Sequence, residues 1–213
     1  MKLLLVYIIP FFLLSQENAD TIPSPWEKTV LEKCNTAKDI GYLSKAEKEV
    51  IFYLNLVRTN PSLFADTYLK QYVDTAQISK NNYLKSLYSD LYAMPSVCVL
   101  IPKFDLFELA KRHAIDMGAH GKVGHVSSNN SSLIQRAKSV THPYSLVQEN
   151  CQYGLNNPLA IVIDLLIDQD IVDVGHRKSL LDKNARYIGT AIRRHKVYKY
   201  NCVIELGGEL KKK

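Results

Sequence analysis

Apolar positions follow a helical period through the early and middle chain and a strand period near its end. Ser44-Lys45-Ala46-Glu47 has the form of a capping box, and Val50, Leu54 and Val57 follow at helical spacing. Asn60-Pro61 closes that helix and can open another, with Leu63, Phe64 and Tyr68 continuing its buried side. Tyr83, Leu84, Leu87, Tyr88 and Leu91 share one face, which predicts an amphipathic helix over Asn82–Tyr92. Pro95 and Pro102 bracket a loop. Asp105 can then cap a helix bearing Leu106, Leu109, Ala110, His113, Ala114 and Met117. Asn157-Pro158 opens a helix to about Asp168, with Ile161, Val162, Leu165 and Leu166 facing the core. Residues 187–192 and 197–206 are β-rich and flank a basic turn, the pattern of an antiparallel hairpin. Helices first and strands last predict an α+β fold.

The N-terminus breaks this pattern. Lys2 leads an almost wholly apolar run from Leu3 to Leu14, interrupted by Pro10. The run is short for a bilayer span and fits a signal peptide, cleaved after Ser15 or as late as Ala19; a retained anchor is the alternative. The expected organisation is a leader over 1–15, an N-terminal arm over 16–43, one domain over 44–206 and a basic tail over 207–213. With the leader removed, no transmembrane segment is expected. Export permits disulfides. Of the four cysteines, Cys151 and Cys202 lie in predicted strands, and Cys151–Cys202 is the favoured pairing; free buried thiols are the alternative.

The chain has 213 residues, enough for one domain with a sizeable core, and a net charge of +6. Its lysines are scattered apart from Lys211-Lys212-Lys213, and no basic helix with interleaved aromatics occurs. A solvated basic surface, rather than nucleic-acid binding, accounts for the charge.

The candidate chemistry sits in three short polar motifs. His125 lies in Gly124-His125-Val126-Ser127-Ser128-Asn129, Glu149 in Gln148-Glu149-Asn150, and His176 in Val174-Gly175-His176-Arg177. Imidazole and carboxylate together suit zinc and similar ions, or a hydrogen-bond network tying loops to a sheet. His113, on an apolar helix face, reads as a hydrogen-bonded core residue. His120, at a helix end, and His142, in a loop, receive no site role. Ser127 can serve as a nucleophile or as a loop cap. Asn129 and Asn130 begin glycosylation sequons. There is no H-E-x-x-H and no G-x-S-x-G motif.

Several of these segments together resemble the CAP superfamily, also called the SCP domain. Residues 54–61 (LNLVRTNP) are similar to its first-helix signature and residues 110–117 (AKRHAIDM) to its second helix. The GHVSSN, QEN and GHRKSLL stretches follow in the family's order, and Gly175-His176-Arg177 resembles the bacterial secreted branch. The resemblance implies a three-layer α-β-α sandwich around a mainly antiparallel sheet. It also implies a cleft holding two histidines and two acids: His125, Glu149 and His176, with Asp168 as the second acid and Asp170 as its substitute. Most family members carry glutamate at that fourth position, one methylene longer. The function implied is a secreted, extracellular or periplasmic binding module for a lipid, a sterol-like molecule or an envelope or protein ligand. No cofactor is required for that reading, although His125 and His176 can hold zinc. The alternative is a metal-dependent hydrolase acting on envelope polymer or protein.

Overall fold

The structure is a computed structural model that describes residues 25–138, 140 and 144–209. The apolar run Leu3–Leu14, both cleavage sites, His142 and the Lys211–Lys213 tail lie outside the described residues. The chain runs α1 (Lys28–Cys34), α2 (Lys45–Thr59), α3 (Pro61–Phe64), a π-helical turn (Ala65–Leu69), α4 (Lys70–Ala76) and α5 (Asn82–Ala93). It continues through β1 (Ile101–Pro102), α6 (Phe104–His120), α7 (Leu133–Ala137), β2 (Val147–Tyr153), α8 (Pro158–Ile167), α9 (Gly175–Leu180), β3 (Tyr187–His195) and β4 (Lys199–Gly207).

The strands form one sheet in the order β1-β3-β4-β2. β1 runs parallel to β3, and the other pairs are antiparallel. Helix α6 packs on one face of β3 and β4, while α2 and α8 pack together on the other, with α2 against β3 and α8 against β2. The fold is α+β, with the sheet as the middle layer. Its core joins Val50, Leu54 and Val57 of α2 to Ile161, Val162 and Leu166 of α8 and to Ile188, Ile204 and Leu206 of the sheet. Gly189 allows α6 to lie close to β3: a Cβ there would stand 2.1 Å from the backbone of Leu106 and Phe107.

Local signals explain the helix ends. Ser44 Oγ accepts from the Glu47 N–H at 3.3 Å, and Glu47 Oε2 accepts from the Ser44 N–H at 2.7 Å, closing the capping box. Asn60 ends α2 and caps α3, and Asn157 caps α8 ahead of Pro158. One expected cap shifts. The residue before α6 is Lys103, and Asp105 sits inside the first turn, accepting from the Leu106 N–H and the Tyr144 hydroxyl. There it still complements the positive end of the helix dipole.

The Cys151–Cys202 pairing is overturned: all four cysteines are free. In the β2–β4 register Cys151 faces Val203, while Cys202 faces Gln152. Neighbouring positions on a strand project to opposite faces. Cys151 therefore points toward the α6 layer and Cys202 toward the α2 layer.

Candidate functional site

The site forms along β2, the last strand in the sheet order. Glu149, Cys151 and Tyr153 share the β2 face toward α6, whereas Asn150 and Gln152 project the other way and hydrogen-bond Ser179 of α9 and Asp164 of α8. One histidine reaches the strand from each side.

His125 comes from the loop after α6. Gly124 carries φ +100°, a backbone state that side chains rarely adopt. The Gly124 N–H donates to the Tyr153 hydroxyl at 2.9 Å, and its carbonyl accepts from His113 Nε2 at 3.0 Å. This clamp delivers His125 to the strand, where Nδ1 lies 2.9 Å from Glu149 Oε1.

His176 is the second residue of α9. Asp168 ends α8 in the left-handed region, φ 54°, a conformation that Asp tolerates better than most residues. Its Oδ2 accepts the His176 backbone N–H at 2.8 Å, and its Oδ1 lies 2.7 Å from His176 Nδ1. The left-handed turn aims the carboxylate straight back at α9, so the shorter aspartate side chain suffices. Asp170 is exposed. Arg177 fixes the segment from behind, donating to the carbonyls of Tyr83, Leu166 and Ile167 and to Asp90.

An ionised carboxylate only accepts hydrogen bonds, so each Nδ1 donates to its carboxylate, and in the neutral ring Nε2 is the atom left with a lone pair. The two rings stand 6.3 Å apart between centroids. Both line a cavity of about 390 Å³ with Val123, Gly124, Cys151, Tyr153 and Tyr198.

Behind His125 lies a charged cluster that the sequence motifs leave out. Arg136 approaches both Glu149 oxygens, at 2.8 and 2.9 Å, and also donates to the His125 carbonyl at 3.0 Å. Glu205, fully buried and directly opposite Glu149 in the register, lies 3.5 Å from the same guanidinium. One cation thus serves two carboxyl groups. Burial alone would raise Glu149, but hydrogen bonds from His125, Glu205 and Arg136 outweigh it and hold the carboxyl at about 2. Burial, reinforced by the Glu149 charge, pushes Glu205 well above the carboxylate range, so it holds the proton of the pair. No spacing rule links Arg136, Glu149 and Glu205; the strand register brings them together.

His113 is the core residue its helical position predicts. It is buried, with Nδ1 3.2 Å from Ser127 Oγ and Nε2 on the Gly124 carbonyl, and burial lowers its pKa. The backbone N–H groups nearest the Ser127–His113 contact are already committed. The Ser127 N–H already donates to Ser131 and the Ser128 N–H to Asp116. His113, Glu149 and Cys151 place one donor atom each within 4.8 Å of one another. A cation there would sit against Arg136, which already neutralises Glu149, so this group reads as a satisfied interior cluster.

A family model described as CAP, the cysteine-rich secretory protein family, matches residues 103–206. This stretch is a CAP domain. The match spans His125, Glu149, Asp168 and His176. No curated protein matches the chain. The CAP domain's similar solved structures include an outer surface protein from Borrelia burgdorferi, at 19% identity and TM-score 0.45, covering 62% of this chain and 96% of that one. An extracellular SCP-domain protein from Bacillus anthracis is 18% identical at TM-score 0.44, covering 64% of this chain and 43% of that one. Venom allergen-like protein 4 from Schistosoma mansoni is 13% identical at TM-score 0.46, covering 80% and 92%.

Proposed function

We propose that this protein is an exported binding module whose cleft grips the polar end of a ligand through the His125–His176 pair, with a zinc-type ion as the natural bridge. The observation that carries the reading is the pairing of each Nδ1 with its own carboxylate, 2.9 Å for His125 and 2.7 Å for His176. A carboxylate behind a histidine fixes its tautomer and raises its basicity, the outer shell that metal-binding histidines use. His125 and His176, with ring centroids 6.3 Å apart, are the residues that would hold such an ion, which would supply a Lewis-acid centre for a polar ligand group. Two protein ligands leave further positions for water or for a ligand's carboxylate, phosphate or hydroxyl. Lipid, sterol-like and envelope or protein ligands remain the candidate classes. Export rests on the lysine-led run of Leu3–Leu14 and fits the secretory family; among the described residues no helix is long and apolar enough to cross a membrane.

The competing reading, a metal-dependent hydrolase, needs a free base within reach of a bound water. Glu149 is committed to His125 and Arg136, and Asp168 to His176 and its backbone. A carboxyl held at about 2 is also a weak base. Binding asks nothing more of these groups. The test is calorimetric titration of zinc into the wild type and into His125→Ala/His176→Ala. Binding lost in the double variant supports the reading; equal binding by both proteins contradicts it. Metal-dependent turnover of esters, peptides or peptidoglycan, lost in His176→Ala, would favour the hydrolase.

A further inference from the structure

We propose that the mouth of this cleft docks onto an anionic lipid surface, so that the His125–His176 pair faces the headgroup layer. The proposal rests on the cleft being a binding site, but not on its holding a metal. Among the described residues, six of the eleven exposed large apolar side chains fall in three short loops: Val123, Val126, Ile171, Val172, Val197 and Tyr198. Those loops meet at one place. Val123 and Tyr198 line the same cavity as His125 and His176, Val126 follows His125, and Ile171 and Val172 lie on the turn that leads into His176. Val172 is 95% exposed and Val197 63%. Single exposed apolar residues are ordinary; their gathering around one mouth marks an interaction surface.

Charge selects the occupant. The same loops and the hairpin turn carry exposed Lys122, Arg194, Lys196 and Lys199, against exposed Asp170 and Asp173. Whole-chain charge is +6, so the molecule is drawn toward anionic surfaces before the loops make contact. Aliphatic tips beside a basic excess carried by the Lys122 loop and the β3–β4 turn suit a bilayer interface, where apolar groups enter the headgroup–acyl boundary and lysines stay at the phosphate level; Asp170 and Asp173 flank the Ile171–Val172 tip.

The test is co-sedimentation of the full chain with vesicles of phosphatidylcholine alone and of phosphatidylcholine mixed with phosphatidylglycerol. The wild type should sediment with the anionic vesicles and be released by raised salt. Val172→Asp/Val197→Asp should bind roughly tenfold or more weakly. Both positions are solvent-facing, so the fold should survive, which circular dichroism checks. Every variant carries the same N-terminal run, so the difference reads the rim alone. Val172→Asp/Val197→Asp should still titrate with zinc as the wild type does, which separates this proposal from the metal reading. Three results overturn the proposal: a wild type that stays in the supernatant, equal binding to neutral and anionic vesicles, or unchanged binding by the aspartate variant.

Discussion

Asp168 holds His176 twice, accepting its backbone N–H at 2.8 Å and standing 2.7 Å from its ring Nδ1. The carboxylate therefore sets both where α9 begins and which way the imidazole turns. Asp168→Asn keeps a residue that tolerates the left-handed backbone but removes the charge that fixes the tautomer. Zinc affinity should fall about 10–100-fold with the fold intact. Calorimetry checks this; unchanged affinity would show that the orientation of His176 does not depend on Asp168.

Glu149 and Glu205 should respond differently to the same substitution. Glu205 holds the shared proton, so Glu205→Gln replaces one neutral group by another and should cost little at neutral pH. The linkage has a definite sign. A folded pKa above the unfolded value means that stability is lost as pH rises from about 4.5 toward the raised value, and Gln removes that loss. Glu149→Gln should be partly rescued by ionisation of Glu205 beside Arg136. The double Gln variant strands Arg136 and should cost about 3–5 kcal/mol, well beyond the sum of the single changes. Urea unfolding of the three variants at pH 5 and pH 8 measures each term.

His113 predicts an acid-side effect. It is packed against Glu149, Arg136 and Asp116, and burial lowers its pKa below 6.5. In the window beneath 6.5 the unfolded chain binds a proton that the folded chain refuses, so stability falls as pH drops through it. Thermal melts of the wild type should show this slope, and His113→Gln should flatten it. An identical slope in both proteins would place the titration elsewhere.

Arg58 is buried and donates to the carbonyls of Cys98, Leu180, Asp182 and Ala185, joining α2 to the segments that flank α9 and β3. Arg58→Met fills similar space but leaves those carbonyls without their donor, at about 1–3 kcal/mol each where no water reaches. Tm should fall by roughly 10 °C or more, at about 2–4 °C per kcal/mol for a chain of this size. A shift within a degree or two would mean that solvent satisfies the carbonyls.

The helices were legible because their signals are local. Ser44 with Glu47, Asn60-Pro61 and Asn157-Pro158 fall where the chain starts and stops its turns. The β3–β4 hairpin was legible for the same reason. The histidines and acids were readable as types within motifs, and the structure brings His125, Glu149, Asp168 and His176 to one edge of the sheet. What the sequence could not supply was register. Cys151 and Cys202 look like partners until β2 and β4 are aligned, when the pleat sends them to opposite faces. Register likewise puts Glu205 opposite Glu149, and the α7 segment brings Arg136 between them. The cap of α6 missed for a different reason: Asp105 has the right chemistry two residues inside the turn it was expected to begin.

If the His125–His176 pair holds a zinc-type ion, both carboxylate-held imidazoles bind it through Nε2. Anomalous diffraction at the zinc absorption edge from zinc-soaked crystals tests it most directly. One strong peak touching Nε2 of both His125 and His176 is expected, absent from crystals of the double alanine variant. A cleft without a peak, or a peak on one histidine alone with its partner turned away, would contradict it.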